Sequence, residues 1–334
     1  LDIEDVEIQV PVNSEHGDYS TNVAMKLAKE LKDSPMNIAH KIDEYLDGDS
    51  TLGGMVSDVS VIKPGFINFS LDKGYLIKVL IEALEDGYGK TDVFQGEKTI
   101  LEYTDPNLFK RLHVGHLFTN MIGESLSRLF EFAGADVKRS NYMSDIGLHV
   151  GKSLWGWERL ASEQSLSLEE LSGRDLHERM KFVQEAYLLG SKSYKDGKGE
   201  AAVVEDIKSI NYLAFHVQAP EVFKEVSSSV KNRGFEEMYK RGREWCLSYF
   251  ELLYERLGSD FDYYFFESEA AKRGYKIVKK ALSEGIFKID AGAVIFDAKE
   301  HDESLHTRVF INSKDLPTYE AKDLALPIMK KEKY

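Results

Sequence analysis

The fold of this chain is decided by the stretch Lys98-Thr99-Ile100-Leu101-Glu102-Tyr103 and the segment after it, Pro106-Asn107-Leu108-Phe109-Lys110-Arg111-Leu112-His113-Val114-Gly115-His116. The first part is an apolar run of strand length. A long amphipathic helix is predicted from about Gly115 to Phe132, and a second strand from Asp136 to Tyr142. Strand, helix and strand within about forty residues form a βαβ unit, which predicts a parallel sheet with ligand chemistry at the carboxyl ends of its strands.

The pattern His-x-Gly-His at the start of the predicted helix suits phosphate binding. Free N–H groups and a partial positive charge lie at a helix N-terminus. His113 and His116 share one face of the first turn and can donate hydrogen bonds to phosphate oxygens, while Gly115 leaves room for a nucleotide. With the nearby cation Lys110, they would stabilise charge during attack of a carboxylate on the α-phosphate of ATP. The alternative interpretation is a pair of helix-capping histidines beside a surface lysine.

The order of predicted elements indicates two domains. Residues 1–95 form a small α+β domain, for which we predict three helices and one hairpin: Thr21–Leu31, Ile38–Leu46, Tyr75–Leu84, and Val56–Val61 with Phe66–Phe69. Residues 96–334 form an α/β domain that is incomplete at its C-terminus.

Within the second domain, the segment at about 158–289 is mostly helical. We interpret it as a helical insertion, although these helices could instead belong to the outer layer of the sheet. Strands return at Ala293–Phe296 and Thr307–Ile311, and a last helix begins near Thr318.

The composition, with 43% hydrophobic and 30% charged residues, is typical of a soluble globular protein. No apolar run approaches the roughly 18 residues that span a bilayer, so no membrane association is expected. Cys246 is the single cysteine, which excludes an intramolecular disulfide and fits a cytoplasmic location. A net charge of −14 argues only weakly against nucleic-acid binding, because a local basic groove can still bind tRNA.

The segment His113-Val114-Gly115-His116 resembles the HIGH signature of class I aminoacyl-tRNA synthetases, and the rest of the chain resembles the arginyl enzymes of that class. The segments that carry this resemblance are 102–107, 123–129, 141–147 and 316–325, with 16–22 and 64–69 in the first domain. The resemblance implies a Rossmann-like catalytic domain with a helical insertion, preceded by the additional N-terminal domain of this specificity. It also implies that ATP, with Mg²⁺, is a substrate bound by His113, Gly115, His116 and Lys110.

Four residues are implied by the resemblance to hold the substrate arginine: Glu102, Asn107, Tyr319 and Asp323. The chemistry of the guanidinium group agrees, because this planar fork of donors pairs best with carboxylates. Tyr319 and Asp323 are four residues apart, so on a helix they face the same way. Taken singly, Asp323 could be a solvated helical acid and Glu102 a charge at a strand end.

The position of Lys110, three residues before the first signature histidine, has a meaning in the family. Members with a degenerate KMSKS loop use a lysine at this position to supply the missing positive charge. No KMSKS-like segment occurs in the 334 residues. The resemblance places it beyond Tyr334, with the rest of the nucleotide-binding fold and a helical anticodon-binding domain. We therefore expect a fragment that binds arginine weakly and catalyses poorly.

Phe66 and Asn68 fall where family members place residues that contact the D-loop of tRNA. An exposed aromatic ring can stack on an unpaired base, and an amide can bind its edge. Alternatively, Phe66 belongs to the core of the first domain.

We predict an arginine–tRNA ligase that forms arginyl-adenylate from ATP and arginine and transfers arginine to tRNA(Arg), acting as a monomer. The alternatives are another class I synthetase such as a lysine-specific one, a small nucleotidylyltransferase with a HIGH signature, and a non-catalytic RNA-binding paralogue.

Overall fold

The computed structural model describes residues 6–47, 52–223, 228–231, 233–300 and 302–334. The chain divides into two compact units, Leu1–Lys90 and Thr91–Tyr334, close to the boundary predicted near residue 95. None of the helices within the described ranges has both the length and the apolar character needed to cross a membrane.

The first unit is an antiparallel sheet covered by helices. Its elements are β1 (Ile8–Gln9), β2 (Tyr19–Thr21), α1 (Val23–Leu31), α2 (Pro35–Leu46), β3 (Val56–Ile62), β4 (Phe66–Leu71) and α3 (Lys73–Glu82). The strand order is β1-β2-β4-β3. Ala24, Ile38, Ala39 and Ile67 form its buried core. The three predicted helices and the predicted hairpin are therefore confirmed.

The second unit is built on the predicted βαβ unit. Strand β5 (Lys98–Glu102) leads through a loop to α4 (Val114–Phe132), and β6 (Asp136–Met143) pairs parallel with β5. A third strand, β7 (Tyr263–Phe266), pairs parallel with β6 and gives the order β5-β6-β7. Helix α4 lies close to the end of β5 because residue 123 is glycine: a Cβ there would lie 2.1 Å from Cγ of Tyr103.

The side of α4 that is buried is not its most apolar side. His116, Asn120, Gly123, Glu124 and Ser127 are buried. The larger apolar residues Ile122, Leu126 and Leu129 are exposed at 44%, 41% and 64%. The signature helix thus packs through small and polar residues, which connect it by hydrogen bonds to the strands and loops of the site.

Among the residues described between β6 and β7, six α-helices are present: α5 (Leu148–Glu163), α6 (Leu168–Ser172), α7 (Leu176–Tyr194), α8 (Ala201–Gln218), α9 (Ser228–Lys231) and α10 (Phe235–Leu257). The predicted helical segment at about 158–289 therefore differs from the structure in its bounds, and β7 lies inside it. Strand β7 was missed because Tyr263-Tyr264-Phe265-Phe266 is a short aromatic run without alternation, which periodicity alone does not distinguish from a helix.

The last elements are α11 (Glu267–Ser283), β8 (Lys288–Asp290), β9 (Ala293–Phe296), β10 (Arg308–Ile311) and α12 (Tyr319–Lys333). Strands β8, β9 and β10 form a separate antiparallel sheet. The two predicted strands and the predicted helix near Thr318 are confirmed. Helix α12 packs along α11 and beside the parallel strands, with Lys330 near Glu102 at the carboxyl end of β5 and Tyr334 near Asp136 at the start of β6.

Candidate active site

A cavity of about 500 Å³ lies where the three parallel strands end. Its lining comes from the ends of the strands, the start of α11 and one face of α12, and consists of Glu102, Asp105, Asn107, Tyr142, Ser144, Glu267, Tyr319, Asp323, Leu326, Pro327 and Lys330. All four residues predicted to bind arginine are thus brought together here. Tyr319 is 62% exposed, which places it at the mouth of the cavity.

The cavity is strongly acidic, since four carboxylates line it. Glu102 pairs with Lys330, and Glu267 pairs with Lys322, each at 2.7 Å. Asp105 and Asp323 make no ion pair with any side chain in the part of the chain that the structure describes. Partial burial, followed by the charges of neighbouring acids, raises the pKa of Asp323. A cationic ligand would relieve this repulsion.

Two polar atoms in the cavity wall have no hydrogen-bond partner among the described residues: the Tyr142 hydroxyl and Oε2 of Glu102. Tyr142 is 7% exposed. Lys330 Nζ lies 2.7 Å from this Glu102 oxygen, but at an angle that does not make a hydrogen bond. Buried polar atoms are rarely left unpaired, so both atoms indicate contacts that a polar ligand would complete.

The loop from β5 to α4 has an unusual backbone. Thr104, Asp105 and Phe109 have φ angles of 76°, 45° and 61°, a left-handed region that disfavours side chains and most of all a β-branched one. Each such residue costs about 1–3 kcal/mol and persists where the surroundings over-determine it, often at functional sites.

Long-range contacts hold this loop in place. Asn120 Nδ2 donates to Thr104 Oγ1 at 2.9 Å, and Tyr142 N donates to Asp105 Oδ1 at 2.8 Å. Phe109 is fully buried, and its backbone N–H donates to Cys246 Sγ at 3.1 Å. Burial raises the pKa of Cys246 to about 12, so the lone cysteine is an inert packing group on α10.

The two signature histidines cap α4. Gly115 N donates to His113 Nδ1 at 3.1 Å, and His113 N donates to His116 Nδ1 at 3.2 Å. The rings stack with their centroids 3.8 Å apart. The capping interpretation is therefore confirmed, and it is compatible with phosphate binding. Because both Nδ1 atoms accept, each neutral ring carries its proton on Nε2, where it can be donated to a ligand.

The charge state of His116 follows from its surroundings. Burial, then His113 and Lys110, lower the pKa of His116 to about 4, so the ring is neutral at pH 7 and acts as a donor. Gly115 makes this stacked arrangement possible, because a Cβ there would lie 2.9 Å from Cε1 of His113. A role of Gly115 beside a bound nucleotide stays a prediction.

Lys110 is held by the helical segment. Its Nζ lies 4.9 Å from the centroid of the Tyr187 ring on α7, a cation–π contact. The next residue is also held by α7, because Arg111 N donates to Gln184 Oε1 at 2.9 Å. Helix α7 therefore sets where the cation stands relative to the histidine pair.

Comparison with known proteins identifies the family. A model of the arginyl-tRNA synthetase N-terminal domain matches residues 1–71, and a model of the class I (R) tRNA synthetase catalytic domain matches residues 79–334. The chain belongs to the class I arginyl-tRNA synthetases. An arginine–tRNA ligase of Treponema denticola is 28% identical over 331 residues, which are 97% of this chain and 51% of that protein.

Other relatives show the same pattern of coverage. An arginine–tRNA ligase of Fusobacterium nucleatum is 30% identical over 308 residues, which are 90% of this chain and 48% of that protein. The chain thus spans about half the length of these curated relatives.

Solved structures show the same fold. The arginyl-tRNA synthetase of Thermus thermophilus has a TM-score of 0.54 at 22% identity, covering 97% of this chain and 49% of that one. The enzyme of Plasmodium falciparum has a TM-score of 0.53 at 19% identity, covering 97% of this chain and 52% of that one. The predicted α/β class with a Rossmann-like parallel sheet is confirmed.

Sequence reasoning missed five polar residues of the cavity: Asp105, Tyr142, Ser144, Glu267 and Lys330. Glu267 directly follows β7, so recognising that strand would have placed a carboxylate at the carboxyl edge of the sheet. Asp105 and Tyr142 lay inside segments of the resemblance, but nothing in the sequence showed that their side chains face the cavity.

The residues predicted to contact tRNA lie on β4 of the first unit. Phe66 is half-buried, whereas Asn68 is 2% exposed and its Nδ2 has no hydrogen-bond partner among the described residues. Phe66 does not belong to the buried cluster around Ile67, so the structure does not support the alternative that Phe66 is a core residue. The tRNA contact stays a prediction.

Proposed function

We propose that this protein acts as an arginine–tRNA ligase, which activates arginine with ATP and transfers it to tRNA(Arg). The observation that carries the proposal is the cavity with four carboxylates at the carboxyl edge of the parallel sheet. One strained loop connects this cavity to the histidine-capped start of α4. A cation-binding cavity beside an anion-binding helix terminus suits a reaction between a cationic amino acid and a nucleotide.

Arginine would bind through the acidic wall. Glu102, Asn107, Tyr319 and Asp323 are the proposed contacts, and Glu267 is added because it lines the same cavity. The guanidinium group presents parallel N–H donors that match a carboxylate in bidentate geometry, which an ammonium group does not. This difference favours arginine over the lysine of the alternative interpretation.

ATP would bind at the start of α4. The Nε2–H groups of His113 and His116, together with the Lys110 cation, would stabilise negative charge on the phosphates as the arginine carboxylate attacks the α-phosphate and pyrophosphate leaves. Mg²⁺ enters as part of the Mg–ATP substrate and needs few ligands from the protein.

The remaining partners belong to the same proposal. Transfer of arginine requires tRNA(Arg), and Phe66 with Asn68 is the proposed contact to its D-loop. The absence of a disulfide, given the single Cys246, supports a cytoplasmic location, and we propose a monomer.

The first test is calorimetric binding of arginine, lysine and citrulline to the 334-residue chain. Citrulline matches the shape of arginine without its charge and tests the carboxylates directly. We expect arginine to bind most tightly and citrulline to lose at least tenfold, because one charged hydrogen-bonding group contributes about 1.5–3 kcal/mol. Tighter binding of lysine would favour the lysine-specific alternative.

The second test is ATP–pyrophosphate exchange by the complete gene product with each amino acid, with and without tRNA. We expect exchange with arginine that depends on added tRNA. A product that binds tRNA but exchanges with no amino acid would instead be the RNA-binding paralogue.

A further inference from the structure

A lysine lies inside the cavity that is proposed to bind a cation. Lys330 Nζ is 2.7 Å from Glu102 Oε2, and the two side chains are 22% and 25% exposed. Lys330 follows Tyr319 and Asp323 by eleven and seven residues, so all three project from one face of α12. The helix that presents two of the proposed arginine contacts therefore also presents a competing positive charge.

The backbone that carries Lys330 is held in place. In the last turns of α12, Glu332 pairs with Arg273, and Tyr263 Oη donates to the carbonyl oxygen of Lys333 at 3.2 Å. Tyr334 Oη donates to the carbonyl oxygen of Asp136 at 2.7 Å. The contact with Glu102 can therefore be broken by movement of the flexible Lys330 side chain, while the backbone of α12 stays in place.

The contact between Lys330 and Glu102 leaves hydrogen-bonding capacity unused. The ammonium group is close to Glu102 Oε2, yet that oxygen has no aligned donor among the described residues. A guanidinium group presents two parallel N–H donors to a carboxylate and makes the stronger contact. An arginine ligand can thus satisfy Glu102 better than the internal lysine does.

We propose that Lys330 is an internal cation that occupies Glu102 while the cavity is empty and withdraws when arginine enters. The inference rests on the proposed function of the cavity in arginine binding. Lys330 stabilises the empty cavity by offsetting the repulsion among Glu102, Asp105 and Asp323, and for the same reason it weakens the affinity for arginine.

The test is the dissociation constant of arginine for variants of the 334-residue chain at position 330. We expect Lys330→Gln to bind arginine roughly three- to tenfold more tightly. If arginine binds only to molecules in which Lys330 has left Glu102, that range means that Lys330 occupies Glu102 for about two thirds to nine tenths of the time. Lys330→Arg keeps the charge and adds the bidentate fork, so it competes better and should weaken arginine binding.

Lys331→Gln is the matched control. It removes the same charge from the neighbouring residue of α12, but Lys331 is exposed and does not line the cavity. Its affinity for arginine should stay within about twofold of the unmodified chain, by the weakness of screened surface charges. The melting temperature of Lys330→Gln should fall as its affinity rises, which separates internal competition from a general loss of structure.

The possible results distinguish failure of this inference about Lys330 from failure of the proposed function. Weaker binding by Lys330→Gln would mean that Lys330 contacts the ligand or orients Glu102, and would overturn the inference while arginine binding stands. Unchanged or tighter binding by Lys330→Arg would overturn it too, even if Lys330→Gln failed to fold. Loss of arginine binding by the unmodified chain and every variant would overturn the proposed function together with the inference.

Discussion

The start of α4 and the acidic cavity are joined by one loop, but they are assembled in opposite ways. The histidine cap is local, because each hydrogen bond spans two or three residues: Gly115 N donates to His113, and His113 N donates to His116. The cavity draws its lining from residues 102 to 330. Its carboxylates repel one another, and two lysines from α12 offset part of their charge.

The two halves of the site are therefore sensitive to different kinds of substitution. The cap is formed by a few residues that are close in sequence. Its ability to donate hydrogen bonds to a ligand depends on which ring nitrogen of each histidine carries the proton. The cavity depends on several elements meeting at one edge of the sheet, so its affinity depends on the balance of charges. Four predictions test this contrast, and they run from the largest expected effect to the smallest.

Replacement of one cavity carboxylate should have the largest effect. We expect Asp323→Asn to weaken arginine binding by about 100-fold, near the upper limit for loss of a hydrogen-bonded charge. Its melting temperature should not fall, because partial burial and then the surrounding acids raise the pKa of Asp323 and disfavour its charge. Glu320→Gln on the same helix, outside the cavity lining, is the control for calorimetry. Equal losses of arginine affinity in Asp323→Asn and Glu320→Gln would contradict a direct contact between Asp323 and arginine.

The two nitrogens of His116 can be tested separately. His116→Asn keeps an acceptor near the position of Nδ1 and removes the Nε2–H donor, whereas His116→Leu removes both the acceptor and the donor. We expect His116→Asn to lower pyrophosphate exchange by the complete gene product roughly 30-fold, within the range of a hydrogen bond to a charged group, without loss of stability. His116→Leu should lose exchange to a similar extent and also about 1 kcal/mol of helix capping, seen as a lower melting temperature. An equal fall in the melting temperature of His116→Asn would show that the two roles are inseparable.

Arginine binding should depend on pH through Asp105. Burial and the charge of Glu102 raise the pKa of Asp105 to about 7, although the residue stays exposed to the open cavity. A cationic ligand favours the ionised carboxylate, so affinity should fall as the pH drops from 8 to 6. Solvent in the cavity weakens the effect, and we expect about threefold. Asp105→Asn should flatten the calorimetric profile; a flat profile in the unmodified chain would exclude Asp105 as the titrating group.

The smallest effect is expected at Tyr187, a long-range support of the local half. Tyr187→Leu removes the ring beneath Lys110 and should raise the KM for ATP in pyrophosphate exchange about twofold, as for a partly exposed cation–π contact of about 0.5 kcal/mol. Tyr187→Phe keeps the ring and should match the unmodified protein. A loss in Tyr187→Phe as large as that in Tyr187→Leu would assign the effect to the hydroxyl group.

Features whose contacts are close along the chain can be predicted from the amino-acid sequence. The βαβ unit, the helix that starts at the histidine pair and the hairpin of the first unit follow from periodicity and from turn residues. The resemblance to arginyl-tRNA synthetases added Glu102, Asn107, Tyr319 and Asp323, which the structure brings to one cavity.

The further side chains that complete the site depend on how distant elements pack together. Glu267 enters the cavity because β7, hidden in a helical stretch of sequence, pairs with β6. Tyr142 is buried, and its hydroxyl has no hydrogen-bond partner within the described ranges. Lys330 meets Glu102 across more than two hundred residues because α12 packs beside the parallel strands. Such contacts depend on the meeting of distant elements, and hydrophobic periodicity records only which face of an element is buried, not which neighbour it will meet.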